Sequence, residues 1–213
     1  MKVIPKEVKK NNTNSREIRE LRASLKLSSL QKEVLLGTIL GDGCLTPNYW
    51  GKSYRLQICH CKKQKQLVTW KHNIFKNFTL SKPSYCKNRK AWEFKTISHP
   101  EFTEFYKIFY PKQKKLIPSE ILPSLTPLSL AVWFMDDGAR GSKKAGFTLN
   151  SQSYTYDDNL KLKTFLKEKF GLRDISIHKD KNNFRLYIKK NSEKQLIKLI
   201  NPYILSCMQY KLS

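Results

Sequence analysis

Hydrophobic positions along this chain change period in a fixed order, and the order occurs twice. Residues 28–45, SSLQKEVLLGTILGDGCL, set Leu30, Val34, Leu35, Ile39 and Leu40 at helical spacing. Ser28 with Gln31 three residues on forms a capping box that starts the helix, and Gly43 is a natural stop. Residues 126–138, TPLSLAVWFMDDG, offer Thr126 as N-cap, Pro127 as first helical residue and Gly138 as stop. Leu130 to Met135 is apolar without interruption, so this second helix is expected to be buried on every side.

After each helix the period drops to two. YRLQICHC, 54–61, alternates Tyr54, Leu56 and Ile58 against Arg55, Gln57 and Cys59. GFTLNSQS, 146–153, alternates Phe147 and Leu149 against Thr148, Asn150 and Gln152. Both series continue with a helical run (KQLVTWKHNIFKNF and DDNLKLKTFLKEKFG) and a strand (KAWEFKTI and NFRLYIKK). Each then ends on a helical run, HPEFTEFYKIFY or SEKQLIKLINPYI. Lys115-Leu116 closes the first copy and Lys211-Leu212 the second, 73 residues after Asp42 and 74 after Asp137. The spacing predicts an α+β fold of two pseudo-symmetric αββαββα halves, 28–125 and 126–213, behind a basic N-terminal arm of residues 1–27. Neither half, at under ~100 residues, buries a generous core alone, whereas two packed about a pseudo-two-fold axis do.

Composition narrows the partners. Of 213 residues 41 are Lys or Arg and 17 are Asp or Glu, a net charge of +24, yet 39% are hydrophobic, enough for a real core. A globular chain this basic meets a polyanion. A membrane is not expected, because no apolar stretch approaches the ~20 residues of a spanning helix. The opening MKVIPKEVKKNNTNSREIRE has no apolar core and so does not read as a secretory signal. Five cysteines, an odd number, point to an intracellular reducing compartment. The group Cys59, His60 and Cys61 is poor for zinc, because on a strand the thiols share one face and the imidazole takes the other.

The acids are the unusual feature. Asp42-Gly43 and Asp137-Gly138 follow the two apolar helices, and Asp136 adds a second acid to the later pair. An anion in the last helical turn costs roughly 0.3–1 kcal/mol against the macrodipole. One Asp-Gly alone reads as a hairpin turn, but two after matching helices and before matching strands read as a pair. If the helices form the pseudo-symmetric interface, Asp42 and Asp137 come together and repel. Divalent cations between them remove the conflict, and carboxylates with carbonyl oxygens suit Mg²⁺. In a basic chain such a site describes metal-assisted phosphodiester hydrolysis.

With these residues in hand, the chain resembles the LAGLIDADG homing endonucleases, and in particular their monomeric, intron-encoded, two-motif members. LLGTILGDG, 35–43, and LAVWFMDDG, 130–138, look like the two signature copies, and the likeness spans about residues 28–213. The resemblance implies signature helices at the interface and curved antiparallel sheets forming a saddle on double-stranded DNA. It implies Asp42 and Asp137 as the acids holding Mg²⁺ or Mn²⁺, with the carbonyls of Gly41 and Asp136 beside them. It also implies Lys115 and Lys211 as the basic residues near the scissile phosphates. Gly37 and Gly41 match the family's preference for small residues where the helices approach, whereas Val132 and Asp136 depart from it. The resemblance further implies an organelle intron, chloroplast or mitochondrial, as the setting, and the Lys- and Asn-rich composition suits an AT-rich genome.

The polar strand faces are the expected reading surface, since a two-stranded ribbon fits the major groove. The candidates are Arg55, Gln57, Asn150, Gln152, His178, Arg185, Tyr187 and Lys189. Two basic loops, YCKNRK and ARGSKK, add Lys87, Arg89, Arg140, Lys143 and Lys144. The halves differ in sequence, so the expected target is long and asymmetric, cut once in each strand with a stagger. The alternative is an intron maturase that binds its host intron RNA on the same scaffold. The retained acid pair favours cleavage, because RNA binding alone gives no reason to keep it.

Overall fold

A computed structural model of the chain describes residues 15–141 and 146–213. Lys143 and Lys144, like the first fourteen residues, lie outside the described residues. Internal contacts divide the chain into two units, the first comprising the chain up to Lys32 with Asp42–Tyr106, the second Glu33–Gly41 with Lys107–Ser213.

In the first unit, helix α1 (Arg16–Ser24) starts on the Ser15 side chain and buries Ile18. Helix α2 (Ser29–Leu40), whose residues from Glu33 onward belong to the second unit, opens with the expected capping box: Ser28 N–H donates to Gln31 Oε1 at 3.0 Å, and Gln31 N–H to Ser28 Oγ at 3.2 Å. Leu30, expected on the apolar side of this helix, is instead 47% exposed. Gln31 turns inward in its place, its amide donating to Ile74 O at 2.7 Å and Asn77 Oδ1 at 2.8 Å. Strands β1 (Cys44–Pro47), β2 (Tyr54–Cys61), β3 (Ser84–Cys86) and β4 (Ala91–Lys95) form an antiparallel sheet in the order β1-β2-β4-β3. Leu45, Leu56, Ile58 and Phe94 fill its inner face, against α3 (Lys65–Ile74) and α4 (Pro100–Phe109) with Phe75, Phe78 and Phe102. The other face carries the facing pairs Thr46–Arg55, Gln57–Lys95 and Cys59–Glu93.

In the second unit, helix α5 (Pro127–Asp137) is capped by Thr126, whose side chain accepts from Ser129 N–H, with Pro127 at the first position. Leu130 to Met135 are all at most 2% exposed, as the unbroken apolar run requires. Gly138 ends the helix in an extended conformation and begins β5 (Gly138–Arg140). A β-carbon there would fall 2.4 Å from the Phe134 ring, so this glycine serves close packing. Strand β6 (Phe147–Leu149), helix α6 (Tyr156–Phe170), β7 (Ile175–Asp180), β8 (Asn183–Ile188) and α7 (Lys190–Ile200) follow. The sheet order is β5-β6-β8-β7, the same as in the first unit.

The same unit joins the signature helices. Ser129 Oγ donates to Glu33 O at 2.9 Å, and Thr126 Oγ1 donates to the Glu33 carboxylate. At Gly37 a β-carbon would meet Ser129 O at 2.3 Å and Val132 Cβ at 2.7 Å; at Gly41 it would meet Asp136 Cβ at 2.5 Å. The departures Val132 and Asp136 are therefore accommodated by glycine on the facing helix. Small residues on one helix suffice for the close approach.

The strand patterns need three adjustments. Asn150 and Gln152 lie beyond β6: Asn150 N–H still donates to Asp137 O at 3.0 Å, in register with β5, and Ser151 then turns inward and accepts from Leu186 N–H at 3.2 Å. Lys189 is not in β8 but is the N-cap of α7. Arg140 belongs to β5 rather than to a loop. No helix among the described residues is long and apolar enough to cross a membrane.

Candidate active site

Both signature helices end at carbonyl groups that no longer have an intrahelical donor, at the negative pole of the macrodipole. The second unit supplies donors in matching fashion. Lys115 Nζ donates to Gly41 O at 3.3 Å, and Lys211 Nζ donates to Asp136 O at 2.7 Å. Gly41 and Asp136 are the seventh positions of the two motifs, so the two lysines singled out by spacing occupy equivalent places. Tyr154 completes the end of α2: its phenol donates to Leu40 O at 3.1 Å, and Lys115 Nζ sits 5.2 Å from its ring centre. Burial pushes that phenol well above its ordinary range, with the negative charges of Asp137 and Asp158 acting in the same direction. Tyr154 therefore remains a neutral hydrogen-bond donor.

Asp136 and Asp137, adjacent in sequence, differ in setting. Asp136 is 6% exposed, with its carboxylate against Gly41, where a β-carbon would fall 2.7 Å from Oδ2. Asp137 is less buried and its carbonyl accepts from Asn150. In the first unit, Asp42 sits in the turn into β1, and its Oδ2 lies 3.4 Å from Nδ1 of His60. His60 itself is 4% exposed. Sequence reasoning passed over His60 as part of an unconvincing zinc group. Its parity on β2 was the available signal, because it shares the inner face with Leu56 and Ile58. No such signal existed for Tyr154, which lies outside any strand or helix.

The donors suit a hard divalent cation. Backbone carbonyls at two negative helix ends already draw the ammonium groups of Lys115 and Lys211. A carbonyl oxygen has a second lone pair, and the neighbouring carboxylates add charge without any soft sulfur ligand.

The reading candidates separate by unit. In the first, Arg55 and Gln57 lie on the outer face, and Lys87 and Arg89 are exposed at the β3–β4 turn, where Arg89 pairs with Glu93. Lys95, opposite Gln57, is an exposed base that the sequence reading missed. In the second unit His178 faces Arg185 across β7 and β8, and its ring stacks on Tyr187 at 4.7 Å. Asp180 gathers the neighbours, accepting from Gln152 at 3.0 Å and lying 3.8 Å from Arg185. Arg140 and Lys189 are engaged with acids, Arg140 with Glu193 at 2.7 Å and Lys189 with Asp174 at 3.2 Å.

The chain is similar to known proteins. Curated relatives include the probable intron-encoded endonuclease 1 of Wickerhamomyces canadensis, 31% identical over 87% of the chain and 85% of the relative. Another is the cytochrome b mRNA maturase bI2 of Debaryomyces hansenii, 28% identical over 84% of the chain and 72% of the relative. The chain spans about half the length of some other curated relatives. Among solved structures, the homing endonuclease I-WcaI bound to its DNA recognition sequence matches with a TM-score of 0.89 and 27% identity, covering 100% of this chain and 99% of that one. The LAGLIDADG DNA endonuclease family matches residues 32–196, a span holding the acid ends of both signature helices and both sheets, and the chain belongs to that family.

Proposed function

We propose that this chain is a site-specific homing endonuclease that makes a staggered, metal-dependent double-strand break in a long asymmetric DNA target. The observation that carries the reading is the duplicated helix end, with a lysine on the seventh-position carbonyl and an acid next in sequence. Asp42 and Asp137 hold divalent metal, Mg²⁺ or Mn²⁺, each with the preceding carbonyl, of Gly41 or Asp136. When bound, the cation polarises the scissile phosphate and offsets the carboxylate charge. His60 orients Asp42, and Tyr154 fixes the end of α2. Lys115 and Lys211, held at the carbonyls, place positive charge where negative charge develops on the phosphate. The outer strand faces read the duplex, and the protein acts as a monomer in an organelle.

Cleavage of a site selected from an intron-junction DNA library with Mg²⁺ tests this. EDTA should abolish cutting and leave binding in place, and cutting that persists in EDTA overturns the metal assignment. With 41 basic residues, binding should also fall steeply with salt. A protein making 6–10 phosphate contacts loses roughly 10³–10⁵ in affinity between about 50 and 200 mM salt. A flat log–log slope would exclude a phosphate-dominated interface.

The likeness to a cytochrome b mRNA maturase favours a second reading, in which the same surface binds intron RNA. Tight binding of intron RNA, with no DNA cut under any divalent metal, would decide for it.

A further inference from the structure

One built feature of the first unit adjoins the duplex-reading candidate Arg55 but has a chemistry of its own. The β1–β2 turn carries Tyr49 and Trp50, 93% and 73% exposed, with their rings edge to face at 5.1 Å. The turn is braced rather than loose. Asn48 N–H donates to Ser53 O at 2.7 Å, and the Asn48 side chain accepts from Lys52 and Ser53 N–H at 3.2 and 3.3 Å. Gly51 closes it at φ +68°, a conformation that side chains disfavour. Two large rings are therefore held in water by a turn constructed to present them.

Tyr49 and Trp50 line a cleft of about 990 Å³, within the span of small-ligand sites. Arg22, Arg55 and Lys95 line it too, and among its described lining residues there is no acid. Arg55 Nε and Thr46 Oγ1, on residues that face each other across β1 and β2, are buried without a hydrogen-bond partner among the described residues. Buried polar groups are ordinarily satisfied, so Arg55, which lines the cleft, is poised for an acceptor that arrives with a ligand. Cations that track a phosphate backbone, beside aromatic rings on which bases stack, are the marks of a site for unpaired nucleotides. An intact duplex keeps its base faces covered and has nothing to lay on the rings.

We propose that this cleft binds an unpaired nucleotide, its base stacked on Trp50 or Tyr49 and its phosphate held by Arg22, Arg55 and Lys95. The proposal does not depend on the cleavage reading, and its test runs in EDTA so that cutting plays no part. The full chain is titrated with short oligothymidylate and oligouridylate. Trp50 is the exposed one of the four tryptophans, so a stacked base should quench its fluorescence. Trp50→Ala should weaken binding by roughly 5- to 150-fold, the span of one lost stack, without changing the salt slope. Trp50→Phe should retain most of the affinity while losing the quench. Tighter binding of oligouridylate names RNA as the source, tighter binding of oligothymidylate names DNA, and equal binding means that the 2′-hydroxyl is not read. No binding of either, or Trp50→Ala binding like the parent, overturns the proposal.

Discussion

Replacing Asp42 or Asp137 with asparagine is expected to lower double-strand cleavage by at least about a hundredfold, the scale on which single charge-stabilising groups act. Duplex binding should persist or tighten slightly, because each change removes a negative charge from a chain of net charge +24. Cleavage and gel-shift measurements on the same preparation check this. A variant that cuts like the parent removes its aspartate from the metal assignment, and one that loses binding as well has lost its fold. Asp136→Asn should be milder. Its counterpart is Gly41, which has no side chain, and the carbonyl that both positions share is the atom bonded to lysine. A loss at Asp136 equal to that at Asp137 would mean that the buried carboxylate takes part directly.

The architecture was legible because its signals were local and repeated. Capping at Ser28 and Thr126 and the apolar run through α5 follow from short-range chemistry, and the near-equal spacing to Lys115 and Lys211 follows from the repeat. What escaped depended on partners distant in sequence. Strands β1, β3 and β5 have only three or four residues, too few for an alternation to register. Strand β6 reads as longer than it is, because nothing local reveals that Ser151 will turn inward to accept from Leu186 N–H. Leu30 and Gln31 exchange places because a polar side chain with two acceptors waiting, at Ile74 and Asn77, can be buried at little cost. The family resemblance and the duplication pointed to Lys115 and Lys211, which donate to the Gly41 and Asp136 carbonyls. His60 and Tyr154 have no matching residue to betray them, and their roles come from contacts across the sheet and from the α5–α6 region.

The glycines of the first signature helix set the stability of the helix pair. Gly37→Ala should destabilise the protein by about 1–3 kcal/mol, the usual cost of overpacking, even though alanine favours an isolated helix by roughly 1 kcal/mol. The added carbon would lie 2.3 Å from Ser129 O and 2.7 Å from Val132 Cβ. The nearer obstacle is backbone, which cannot rotate away as a side chain can. Denaturant unfolding of the parent and of Gly37→Ala measures the loss, and the double variant with Val132→Gly identifies its origin. Because the Ser129 carbonyl remains, Val132→Gly should fail to restore stability. Recovery would mean that Val132, and not the backbone of α5, limits the approach. A Gly37→Ala protein as stable as the parent would mean that the helices can separate at no cost, and that their glycine-lined contact does not determine the positions of Gly41 and Asp136.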